Sequence, residues 1–144
     1  VTAQNCSTAG MQAVSIDPTS CPQPQGFFTV PPCRLLDTRL PADGPALAAN
    51  VDRTYMIVGR CGIPASATAL SLNVTVTQPT QAGSVTVRPG NTPFLAVPYV
   101  SYSAGQTRAN NAIIALGAAG DYTATCNQPS GTTQLILDVN GYFQ

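Results

Sequence analysis

The chain has 144 residues, one domain's worth, with 44% hydrophobic residues and a formal net charge of zero. Only 8% of residues are charged, against about 25% in an ordinary domain; every cation is Arg, every acid is Asp, and Lys, Glu, His and Trp are missing. No basic stripe exists to hold nucleic acid or an anionic membrane, and no apolar run approaches the roughly 20 residues of a spanning helix.

The chain opens at Val1 without a Met, a basic segment or an apolar leader. That is the expectation for a secreted protein whose signal peptide has been removed, or for a trimmed chain. Residues 1–25 differ from the rest. Met11, Ala13 and Ser15 alternate with Gln12, Val14 and Ile16, which predicts a strand over 11–16. Cys21-Pro22-Gln23-Pro24-Gln25 follows as an extended, semi-rigid hinge. The reading is an N-terminal arm, 1–25, ahead of a single β-domain, 26–144.

From Gly26 onward the pattern is strand after strand. Phe27–Val30 is stopped by Pro31-Pro32, and Cys33–Thr38 and Thr54–Val58 follow. The clearest strand is Ala67–Thr77, where Leu70, Leu72, Val74 and Val76 alternate with Ser71, Asn73, Thr75 and Thr77. Period two with β-branched residues marks a strand with one face in a core. Ser84–Arg88 repeats it with Val85 and Val87 inward. Leu95–Tyr102, Asn111–Leu116, Tyr122–Cys126 and Thr133–Phe143 complete about nine strands. Apolar residues on both faces of Leu135–Leu137 predict a central, doubly covered strand. No stretch has a helical period with caps, and 12 Gly and 13 Pro punctuate the chain. The fold class is all-β: an antiparallel sandwich, jelly-roll-like, immunoglobulin-like or barrel-like, with an extended N-terminal arm.

The five cysteines, Cys6, Cys21, Cys33, Cys61 and Cys126, contain no CxxC pair and have no His beside them to build a zinc site. Disulfides in an oxidising compartment are expected. Spacing leaves the connectivity open. Cys33 with Cys61 and Cys6 with Cys21 are the favoured pairs, which leaves Cys126 unpaired or bonded to another chain.

Catalytic machinery is hard to assemble here. Without His or Lys, the serine, cysteine and Schiff-base arrangements are missing, and only Asp remains for acid–base work. Asp37-Thr38-Arg39 lacks the Gly of an aspartic-protease loop and has no second copy. The expectation is no enzyme and no cofactor. Arg34, Asp37, Arg39, Arg108 and Asp138 read as structural ion pairs and carbonyl caps. A calcium site would have to draw on Asp37, Asp43 or Asp138, which no closely spaced Asp/Asn loop supports. Tyr55, Tyr99, Tyr102, Tyr122 and Tyr142 are either core-edge packing or a sugar-stacking platform. Asn5-Cys6-Ser7 and Asn73-Val74-Thr75 are glycosylation sequons, so Asn5 and Asn73 are candidates for covalent glycans.

Pro32-Cys33-Arg34-Leu35-Leu36-Asp37-Thr38-Arg39, Cys61-Gly62-Ile63-Pro64, Leu72-Asn73-Val74-Thr75, Gly105-Gln106-Thr107-Arg108-Ala109-Asn110-Asn111-Ala112 and Asp138-Val139-Asn140-Gly141-Tyr142-Phe143 occur in an order that resembles a β-rich domain of secreted bacterial surface proteins. The resemblance covers about 27–143. It implies extracellular location, a β-rich fold and a Cys33–Cys61 bond, and it carries over no catalytic residue. The whole chain is also similar to protomers of extracellular fibrils, some of them glycosylated, in which each subunit donates a strand to its neighbour. The expected function is a secreted, cell-surface structural subunit. Met11, Val14 and Ile16 would join the sheet edge of another copy, giving a head-to-tail polymer without nucleic acid or membrane insertion. The alternative is a carbohydrate-binding or adhesion module.

Overall fold

The computed structural model describes residues 25–94 and 96–144. The predicted arm strand 11–16, Cys6, Cys21 and Asn5 lie outside the described residues. The described chain is an all-β sandwich of nine strands without a helix: β1 (Phe27–Asp37), β2 (Leu47–Ala48), β3 (Asp52–Met56), β4 (Ala69–Thr77), β5 (Gly83–Pro89), β6 (Val100–Tyr102), β7 (Arg108–Ala115), β8 (Asp121–Asn127) and β9 (Thr132–Phe143). One sheet runs β1-β9-β4-β7, with β2 continuing the β1 edge along β9; the other runs β3-β8-β5-β6. All ladders are antiparallel.

The alternation read in β4 is realised residue by residue. Leu70, Leu72, Val74 and Val76 are buried, and the intervening Ser71, Asn73, Thr75 and Thr77 are half-buried. They meet Leu135, Leu137 and Val139 of β9, Val85 and Val87 of β5, and Tyr122, Ala124 and Cys126 of β8 in one core. β9 is central, between β1 and β4, and Leu135, Ile136 and Leu137 are all buried, so both of its faces are covered at that point. Tyr122 ties the layers together: its hydroxyl donates to the Ile114 carbonyl of the facing sheet at 2.7 Å, in the buried interior.

Most strand ends move by one to three residues from the sequence reading, β3 starting at Asp52 and β7 at Arg108, and three differences are larger. Pro31-Pro32 does not end a strand, because β1 continues to Asp37. It is an edge strand, and its register shifts between Thr29 and Cys33, so the two prolines sit where no N–H is needed by β9. The expected strand 95–102 shortens to Val100–Tyr102, with Pro98 just ahead of it. The two-residue β2 went unread because it is too short to alternate.

The two lateral sides of the sandwich are unlike. On one, β2 pairs with β9, Ala49 bridges Cys126 of β8, and β3 then pairs with β8, so the chain itself crosses between the sheets. The Cys33–Cys61 disulfide reinforces that side, linking β1 to the turn after β3. On the other side β7 and β6 end the two sheets, and no ladder joins them among the described residues.

Candidate functional site

The open side is where the domain can accept chemistry from outside. A sheet edge carries unpaired N–H and C=O groups, and soluble proteins usually blunt it with proline, charge, bulges or brevity. Three of the four edges are blunted. β1 carries Pro31, Pro32 and two register shifts. β3 is five residues long and includes Asp52 and Arg53. β6 has three residues.

The fourth edge, β7, has eight residues, no Pro or Gly, and one charge, Arg108 at its first position. Its orientation follows from the register. Leu116 N–H donates to the Thr68 carbonyl, and the same register pairs Ala115 with Ala69 and Ile113 with Ser71. Antiparallel residues alternate between facing and turning away from their partner strand. Ala112 and Ile114 therefore bond towards β4, while Ala109, Asn111, Ile113 and Ala115 direct their backbone groups outward. Among the described residues no hydrogen bond claims those groups. Ile113, on the outer face, is 63% exposed.

Beside this edge lies a largely apolar cavity of about 180 Å³ between the sheets, lined by Val87, Pro89, Val97, Tyr99, Ile114 and Ala115 together with the polar Thr86 and Arg88. Asn110 Nδ2 bridges the seam by donating to the Tyr99 carbonyl at 3.0 Å. An extended segment laid along β7 would pair with the outward groups and cover the cavity with alternate side chains.

The charged residues named from sequence have other work. Asp37 is buried at the end of β1 and accepts from Arg39 Nη2 at 2.6 Å, Arg39 Nε at 2.8 Å, the Arg39 backbone N–H at 3.1 Å and Arg34 Nη1 at 3.2 Å. Arg34 also pairs with Asp138 of β9 at 2.8 Å, and Arg60 with Asp43 at 2.7 Å. Arg53 donates to the carbonyls of Asp43, Gly44 and Pro45. Arg108, by contrast, is exposed at the start of the open edge. Thr38 Oγ1 donates to Gln134 and accepts the Leu135 N–H, which completes the clamp between β1 and β9. The Asp37-Thr38-Arg39 motif is thus a strand terminator. The three carboxylates proposed for calcium converge on guanidinium groups, and the described residues hold no group of three or more acidic, Cys or His ligands.

The Asp37 clamp sets a pH response. Hydrogen bonds from the Arg39 side chain, working against burial, pull its carboxyl down from 3.8 to about 2, aided by the Arg39 N–H and the Arg34 charge. A lowered folded-state value stabilises the fold above the unfolded value and loses that contribution as pH falls from about 4 to 2. The two arginines are half exposed, so solvent screening limits the effect to about 1 kcal/mol. Urea unfolding at pH 6 and pH 2 should therefore show an acid loss that Asp37→Asn reduces by about that amount. An unchanged acid loss in the variant would contradict the clamp.

Of the other residues named from sequence, Cys33 and Cys61 form the expected disulfide. Cys126 is a fully buried free thiol, pushed up by burial, and Tyr102 Oη lies 3.3 Å from it; no second chain can reach it without opening the core. Asn73 lies in the central strand β4, between Asp138 of β9 and Asn111 of β7, with its Nδ2 donating to Thr75 Oγ1 at 3.3 Å. The tyrosines make no platform: Tyr55, Tyr102 and Tyr122 are core residues, and Tyr99 and Tyr142 pack half-buried against the core.

Sequence reasoning missed the open edge. β7 is readable as a strand, but its position at a sheet margin depends on which strands pair. No protein-family model and no curated protein sequence matches this chain.

Proposed function

We propose that this protein is a secreted structural subunit that polymerises head-to-tail, residues 11–16 of one copy adding as a strand to the β7 edge of the next. The observation that carries this reading is the contrast between edges: β1, β3 and β6 are blunted, while eight-residue β7 is not. Val14 and Ile16 fall on one face of the arm strand, the spacing needed to sit beside Ala112 and Ile114 over the apolar seam. A contact between an arm and a different surface on the neighbour is heterologous and does not close, so it grows a filament. Zero net charge removes the repulsion that would oppose close packing. The disulfide and the ordered motifs similar to bacterial surface domains favour an extracellular setting.

The geometry also defines the competitor. Phe27, Phe143, Ala69 and Ala115 lie in one row across the sheet, so β1 begins three strand spacings, about 14 Å, from the end of β7. Residues 17–25 extended span up to about 30 Å, enough to reach either the chain's own edge or a neighbour's. Light scattering and electron microscopy of the full chain, beside the Val14→Asp/Ile16→Asp variant, separate the cases. Filaments from the first and folded monomers from the second are expected. Monomers from both, or filaments from both, would overturn the proposal.

A further inference from the structure

We propose that the outer surface of the second sheet holds a binding site for a neutral saccharide, at a shallow depression lined by Asn50, Asp52, Phe94, Thr125 and Asn127. Its polar groups are held in place before any ligand arrives. Arg88, with 7% of its side chain exposed, is an ion-pair partner of Asp52 Oδ2 and donates to Thr125 Oγ1 at 2.7 Å; Thr125 in turn donates to Asp52 Oδ1. Asn50, held at a φ of 59°, donates its Nδ2 to the Gln128 carbonyl at 2.8 Å, and Asn127 donates its Nδ2 to Thr86 Oγ1 at 3.1 Å. Each amide thus spends one of its two N–H donors on the protein, and among the described residues neither amide oxygen has a partner. The Asp52 side chain remains 54% exposed, with lone pairs facing water. The depression therefore presents three preset acceptors, which suit adjacent hydroxyl donors.

Phe94 supplies the apolar half of the site. It is 48% exposed, and the Arg88 guanidinium sits 5.7 Å from its ring centroid, fixing the ring from one side. An aromatic face beside a few convergent hydrogen-bonding groups matches a sugar ring, which has an apolar C–H face and a polar rim. The charges select a neutral ligand. Asp52 repels anions, and Arg88 already neutralises the carboxylate that a cation would need.

The test does not depend on assembly state. Saturation-transfer NMR observes the sugar, so the full chain serves whether polymeric or monomeric. The probes are cellotetraose, maltotetraose, mannotetraose and chitotetraose, against the unmodified protein, Phe94→Ala and Asp52→Asn. Saturable transfer from the protein to ring C–H protons of at least one probe is expected, weakened about tenfold by Phe94→Ala. Asp52→Asn keeps the side chain's shape and should weaken transfer through the lost charged acceptor. Circular dichroism checks that both variants stay folded. Silence from all four probes, or transfer that folded Phe94→Ala leaves unchanged, would overturn the site.

Discussion

Replacing Asn111 and Ile113 together with Pro should abolish filaments and leave the sandwich folded, whereas Ala112→Pro alone should unfold a large fraction of it. The difference is one of parity. Asn111 and Ile113 turn their N–H groups away from β4, so a proline there removes no ladder bond, and an edge strand tolerates it. Both side chains are exposed, so little packing is lost. The proline rings would deny two donors to an incoming strand and crowd its approach, the same device that Pro31 and Pro32 already supply on β1. Ala112 bonds inward, opposite Leu72, and packs against the core. Proline there breaks a ladder bond and strands a buried carbonyl partner, at about 2–3 kcal/mol or more. Electron microscopy reads the polymer, and urea unfolding reads the domain. Filaments surviving the double substitution would remove β7 as the acceptor.

Loss of the Cys33–Cys61 bond is the second large effect. The disulfide spans 28 residues and joins the β1 edge of one sheet to the turn that follows β3 of the other. Closing a loop of that length in the unfolded chain corresponds to about 3.6 kcal/mol in the chain-entropy model. In a domain with a stability of about 5–15 kcal/mol this is a major fraction. Cys33→Ser/Cys61→Ser should lower the melting temperature by about 10 °C or more. The variant should also become indifferent to reductant at concentrations that destabilise the parent. Because the bond lies on the side away from β7, the variant should still form filaments below its melting temperature. Melting curves that coincide with and without the bond would show that β1 is held by its clamp alone.

That clamp shows how far a motif can be read. Arg34, Asp37, Arg39 and Asp138 were legible as ion-pairing residues because a chain with so few charges has little reason to bury one unpaired. The bridge that Arg34 makes between Asp37 and Asp138 was not legible, since Asp138 arrives from β9, 104 residues from Arg34. The glycine in Asp138-Val139-Asn140-Gly141-Tyr142-Phe143 is similar: a Cβ there would meet Phe27 Cζ at 2.3 Å, and only the β1–β9 register puts that ring over it. Phe94 carried no signal at all, as a lone aromatic in a loop acquires meaning only when Arg88 and Asp52 gather around it.

What the residue order determined by itself is local. Period-two alternation marks β4, β5 and β9, because a strand must send neighbouring side chains to opposite faces; doubled apolarity marks the buried centre of β9. Pairing decided the rest. Pro31-Pro32 reads as a stop to any local rule, yet β1 passes through it, because the register shift between Thr29 and Cys33 on an edge strand leaves neither position with an N–H that β9 needs. β7 and β4 are both readable as strands along the chain, but among the described residues β4 has neighbours on both sides and β7 on one. Whether a strand is a wall or an open edge depends on partners far away in sequence, so only the tertiary structure decides it.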